Sequence, residues 1–204
     1  MRRLVILILS AGLWAACSGG AHTVVAPLPC GYEPGNLSDC MVPAGFSADD
    51  FRWMDGSLVM TVYSEDLYDA PDLVRMQPGD TLLYGGEKIA VRNIVEENGL
   101  LVVNDGLDNG GAWLQAAGGG TFRAVQFDDH SLYTELGLAE LPLSQDFIII
   151  DCGEFPTDPS DTVRNGQKLY LEALADWKAD FSPLNTTVLI EGGEITEINR
   201  RWIP

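Results

Sequence analysis

Histidine is nearly absent from this chain: His22 and His130 are the two present among 204 residues. That scarcity excludes zinc hydrolases that hold their metal with several imidazoles, and no Cys-x-x-Cys pair stands in for them. A serine triad would have to use His130, yet no Gly-x-Ser-x-Gly elbow accompanies it. Positive charge is also scarce. Twelve Lys and Arg face thirty Asp and Glu, a formal net charge of −18, and such a body repels the phosphates that a DNA- or RNA-binding protein must neutralise. Nucleic acid is therefore not an expected partner. What is present, 46% hydrophobic residues with 9% aromatic and 21% charged, belongs to a folded domain and not to an acidic disordered tail.

The one long apolar run lies at the start. Arg2 and Arg3 precede apolar residues 4–14, and the small pair Ala15-Ala16 precedes Cys17. The run falls short of the roughly 20 apolar residues that a permanent membrane helix needs, so residues 1–16 read as a signal peptide. The segment Leu13-Trp14-Ala15-Ala16-Cys17-Ser18-Gly19-Gly20 resembles a bacterial lipoprotein precursor. The resemblance implies that Cys17 is lipidated and becomes the mature N-terminus, anchored to the outer face of the cytoplasmic membrane or to the outer membrane. Trp14 departs from the aliphatic residue usual at its position, which leaves secretion without an anchor as the alternative. Loss of residues 1–16 removes two arginines and no acid, leaving ten basic against thirty acidic residues, a net of −20. A surface of that sign is repelled by anionic headgroups, so membrane attachment is expected through the lipid alone.

Export permits disulfides. Cys30 and Cys40 enclose Pro34, Gly35, Asn36 and Ser38, all turn formers, and a local bridge between them is the simplest pairing, leaving Cys152 as a lone thiol. The alternative joins one of the pair to Cys152. Residues 17–50 are accordingly expected to form a tether carrying the Cys30/Cys40 loop, and residues 51–204 a single globular domain.

Within 51–204, short apolar and β-branched blocks alternate with Gly, Asn and Asp, which predicts a mainly β domain: an antiparallel meander, small barrel or sandwich-like fold. Strands are expected over 58–63, 81–84, 88–96, 100–104, 121–127, 187–191 and 194–200. Gly85-Gly86, Asn98-Gly99 and Gly192-Gly193 supply the positive φ angles of tight hairpins. The succession from Leu73 through Gly79-Asp80 to Val91 and Ile94 resembles the meander of small SH3-like barrels, a likeness of architecture that carries no function. Phe147-Ile148-Ile149-Ile150 should be a central buried strand. The Leu-Glu-Ala-Leu-Ala content around Tyr170, Leu174 and Trp177 predicts one helix near 166–178. The last twenty residues resemble the ends of small bacterial surface lipoproteins of unassigned function.

Chemistry is thinly marked. Cys152, His130 and Arg164 resemble the Cys, His and Arg of exported sortase-type transpeptidases, since a thiolate needs a neighbouring cation and a proton carrier. The chain departs from that family where Thr-Leu-x-Thr-Cys is replaced by Ile149-Ile150-Asp151-Cys152, and His130 lies only 22 residues upstream. Asp151 would also raise the thiol pKa. The plainer reading of Cys152 is a cysteine ending a buried strand. The loop Asp105-Gly106-Leu107-Asp108-Asn109-Gly110 suggests calcium superficially, but as an EF-hand it has Leu107 at a ligand position and Ala116 in place of the bidentate Glu. Asp49 with Asp50, Asp128 with Asp129, and Asp158 with Asp161 are further oxygen clusters that read as solvated turns. Trp113, set among glycines, is the aromatic that stands out as a ligand platform, with Asp105 and Asp108 close in sequence.

The expected function is a non-catalytic surface domain that binds an extracellular or periplasmic protein, peptide or glycan without a cofactor. An exported cysteine enzyme using Cys152 and His130 is the first alternative, and a calcium-stabilised surface module the second.

Overall fold

The computed structural model describes residues 21–28, 32, 37–151, 163–165 and 181–203. In chain order the strands are β1 (Thr23–Val24), β2 (Cys40–Gly45), β3 (Phe51–Arg52), β4 (Ser57–Glu65), β5 (Leu67–Asp69), β6 (Thr81–Tyr84), β7 (Glu87–Ala90), β8 (Ile94–Glu97), β9 (Leu100–Val103), β10 (Ala112–Gly118), β11 (Thr121–Ala124), β12 (Tyr133–Asp151), β13 (Val163–Asn165), β14 (Thr186–Glu191) and β15 (Glu194–Arg200). A short helix, α1 (Ala70–Arg75), joins β5 to β6. The chain is mainly β and mostly antiparallel, as its composition predicts.

Two apolar cores organise these strands. The first lies inside a closed barrel. Strand β4 alternates with period two: Leu58, Met60 and Val62 are at most 1% exposed, while Val59, Thr61 and Tyr63 are partly exposed. It pairs antiparallel with β2 on one side and with the first half of β12 on the other. The second half of β12 runs parallel to β15, β15 pairs antiparallel with β14, and β14 returns to β2. The ring β2-β4-β12-β15-β14 therefore closes on itself and has no open edge. Its connectivity, a five-stranded Greek-key barrel with one parallel pairing, is that of the OB architecture. Strand β12 serves both halves because it is long enough to bend, with a bulge between Glu135 and Gly137 and a second irregularity between Leu143 and Ile148.

The second core belongs to a module inserted between β4 and β12 and completed by the N-terminal β1. The sheets β5-β11-β10-β9-β8 and β1-β6-β7 enclose Val24, Tyr68, Leu82, Val103, Leu114 and Ala124. Glu65 and Tyr133 are cross-strand partners, so the module leaves and re-enters the barrel at neighbouring points of one ladder. Asp66 sits at that junction. Its carboxylate accepts hydrogen bonds from the Gly85 amide at 2.6 Å, the Thr134 hydroxyl at 2.6 Å and the Tyr68 hydroxyl at 3.2 Å. Its own amide donates to Leu132 O, and its carbonyl accepts from Ala124 N. Burial pushes the Asp66 carboxyl above its ordinary value, against the lowering effect of those donors.

The hairpin signals act where they are expected. Gly85-Gly86, Asn98-Gly99 and Gly192-Gly193 turn with φ of 58° and 80°, 52° and 81°, and 60° and 83°. The strand expected over 88–96 is divided into β7 and β8. Asn104 divides it: its side chain donates to Ala90 O and accepts from Arg92 N, competing with a continuous ladder. The strand expected over 121–127 stops at Ala124, where Val125 turns to bridge Ser131. Helix α1 is not foreseen, being too short for a periodic pattern, although Pro71 marks its first turn. The helix expected near 166–178 lies outside the described residues.

The segment expected to be a tether contributes to both cores. Val24 is 1% exposed, and the His22 amide donates to Asp80 Oδ1 at 2.9 Å. That bond is the first of those holding the Asp80 carboxyl below its ordinary value. Strand β2 forms a stave of the barrel, so folded structure begins well before Phe51. Short apolar stretches such as Thr23-Val24 complete a sheet formed by distant residues, which local composition does not reveal.

Candidate functional site

The site is built on the outer face of β8, β9 and β10. Val95, Val102 and Trp113 are cross-strand neighbours there, while Val103 and Ala112 face the core. Trp113 is thus a strand residue, where a glycine-rich turn is the sequence expectation. The flanking glycines serve close packing instead. A Cβ on Gly111 would stand 1.9 Å from Val103 O, and a Cβ on Gly106 would stand 2.2 Å from the indole Nε1 of Trp113. Asn104, Asp105 and Gly106 take φ of 52°, 62° and 86° in succession, and this left-handed path lays the Gly106 backbone beneath the indole.

Phe127 meets the Trp113 ring edge-on, with centroids 5.4 Å apart and planes at 77°, and remains 68% exposed. Nearby, the buried Tyr84 hydroxyl donates to Val125 O at 2.5 Å, and burial raises its pKa to about 12. It thereby fixes the start of the turn that carries Phe127.

Beside the indole is a recess of about 260 Å³, lined by Glu97, Asn98, Leu100, Val102, Asp105 and Trp113. Cofactor and drug pockets run from roughly 300 to 1,000 Å³, so the recess suits one ring or one side chain. Asp105 lines it while accepting from Asn93 Nδ2 at 3.3 Å. The structure therefore brings together Trp113 and Asp105 and leaves Asp108 exposed on the adjoining short helical turn, away from the recess. Sequence reasoning does not single out Glu97, Asn98 or Phe127. The Asn98-Gly99 turn is the one local cue, and it signals conformation, not chemistry.

The remaining candidates are dispersed. Among the described residues no group of three His, Cys, Asp or Glu is placed to hold a metal ion. Asp50 instead accepts from the Ser47 amide and hydroxyl at 2.7 and 2.8 Å, a capping role. Asp129 pairs with Arg123 at 3.2 Å. His130 stands in a cleft between module and barrel, with Nε2 3.8 Å from Asp128 Oδ2. Strand β13 pairs Arg164 with Ile149 in backbone register. Cys40 is buried at the start of β2, whereas Cys17, Cys30 and Cys152, along with Asp158 and Asp161, lie outside the described residues.

Compared with models of known families, with characterised proteins and with solved structures, the chain matches none, so the barrel topology rests on its strand pairings alone.

Proposed function

We propose that this is an exported, lipid-anchored binding domain whose outer strand face takes a glycan on Trp113. The observation carrying the reading is the indole seated over Gly106, with Asp105, Asn98 and Glu97 around it. A sugar ring offers an apolar C–H face for an indole and hydroxyl donors for carboxylates and amide oxygens, and this recess presents both on a scale of one ring. Supporting the anchor are the basic, apolar and small residues that lead to Cys17. Among the described residues no helix is long and apolar enough to cross a membrane.

Wild-type protein and Trp113→Ala should be compared on a panel of immobilised oligosaccharides, followed by fluorescence titration of any binder. At least one glycan should bind, with affinity falling tenfold or more in Trp113→Ala. An empty panel, or equal binding by the variant, overturns the reading. For the anchor, intact-mass measurement of detergent-extracted protein should show loss of residues 1–16 and acyl mass on Cys17. An unacylated mature chain overturns that part.

A further inference from the structure

A second site lies between the module and the barrel, where Arg123, His130, Tyr133, Arg201 and Trp202 line an open cleft of about 320 Å³. Its two arginines differ in what they already do. Arg123 is committed: Nη1 donates to Asp129 O at 2.9 Å and Ser131 Oγ at 3.3 Å, and Nη2 to Gln115 Oε1 and Asp129 Oδ1. It braces the turn that carries His130. Arg201 is exposed, and its Nε and Nη2 both donate to Leu184 O at 3.2 and 3.1 Å. Among the described residues no carboxylate stands within ion-pair distance of it. In a chain with thirty acidic side chains, a cation held by a neutral carbonyl retains its charge for an incoming partner.

The groups around Arg201 define that partner. Tyr133 presents a neutral phenol there: burial and then the Glu65 charge push its hydroxyl above its ordinary value, against the lowering effect of Arg201 beside it. Its proton is available to an acceptor. Trp202 is 44% exposed and supplies an aromatic plane. Asp129, Ser131 and His130 add further polar atoms to its lining. A planar guanidinium with a phenol beside it matches a carboxylate, and an aromatic plane with hydroxyl-binding groups matches a sugar ring.

We infer that the cleft between module and barrel is a binding site for a carboxylate-bearing sugar, its acid group on Arg201 and Tyr133 and its ring on Trp202. The site is independent of the Trp113 recess. It also places a ligand across the two folded units, where clefts form most readily.

Calorimetric titration of the full mature protein with trigalacturonate and with neutral galactotriose provides the test. Trigalacturonate should bind, and galactotriose at least tenfold more weakly. Arg201→Gln should lose tenfold or more, and Arg201→Lys should fall between, because it keeps the charge without the fork. Trp202→Ala should also weaken binding, while Trp113→Ala should leave it intact, which separates this site from the platform. Thermal melting of each variant at the wild-type temperature confirms that the fold persists, as the exposure of Arg201 leads one to expect. Absence of trigalacturonate binding, equal affinity for the acidic and neutral trimers, or an unchanged Arg201→Gln overturns the inference.

Discussion

Asp66→Ala is expected to lower stability by roughly 3 kcal/mol, measured by denaturant unfolding. The carboxylate is the shared acceptor of Gly85 N, Thr134 Oγ1 and Tyr68 Oη, and Tyr68 retains Leu83 O when it is gone. Gly85 and Thr134 lose their acceptor at a site where Asp66 itself is 2% exposed. Leaving partly buried donors unpaired costs more than a hydrogen bond ordinarily contributes. Relief of a desolvated charge offsets part of that loss. Asp66→Asn should cost less, since its carbonyl can still accept.

The same residue gives stability a pH dependence of defined sign. Its folded pKa is raised above the unfolded value of 3.8, so the native state holds this proton more tightly. The stabilisation is complete below that value and fades as pH rises through the folded pKa. The Asp66→Asn variant should lack this component, and the difference between wild type and variant should shift in the variant's favour as pH climbs from about 4 towards neutrality. An Asp66→Ala protein as stable as wild type, or a pH-independent difference for Asp66→Asn, would show that the junction is held by other contacts.

Gly111→Ala is the second large effect, again about 3 kcal/mol, at the upper end of overpacking costs. The added Cβ would lie 1.9 Å from Val103 O and 2.9 Å from both Asn104 O and Gly106 O. All three are backbone atoms of the loop, so no side chain can swing aside. Relief requires moving the chain that donates Gly106 N to Val103 O at 3.0 Å and Gly111 N to Gly106 O at 2.9 Å. The neighbouring Gly110→Ala is the control. Its Cβ meets nothing within 4 Å, and its φ of 68° alone should cost about 1 kcal/mol. Thermal unfolding of the pair reads the difference, and equal melting temperatures would show that the loop accommodates bulk at position 111.

What was legible in the sequence is what short segments decide for themselves. Two-residue turns need positive φ, so Gly85-Gly86 and Gly192-Gly193 declare their hairpins, and strands β6 and β15 match the expected 81–84 and 194–200. The closed ring was not legible, because it depends on one 19-residue strand, β12, dividing its two halves between partners. Glycine density around Trp113 suggests a turn when only local conformation is considered. It serves close backbone approach here, which needs the spatial neighbour to be known. Trp113 and Asp105 were within reach because they stand eight positions apart. Arg201, Tyr133 and Arg123 were not, because three distant segments converge on their cleft and none bears a motif. Asp66 is one acid among thirty, and its burial leaves no mark in the local sequence.

The insertion of residues 66–132 into the β4–β12 ladder bears on how the molecule assembles. Glu65 and Tyr133 are opposite one another in the native sheet, but in an unfolded chain their meeting must close the whole intervening loop, a cost that rises with the logarithm of its length. A folded module removes that cost by delivering both ends side by side. Its β8-β9 and β9-β10 hairpins join near neighbours, the kind of contact that forms fastest. This connectivity predicts assembly from the middle of the chain outward, with residues 66–132 forming contacts before the long-range ladder of the barrel is registered.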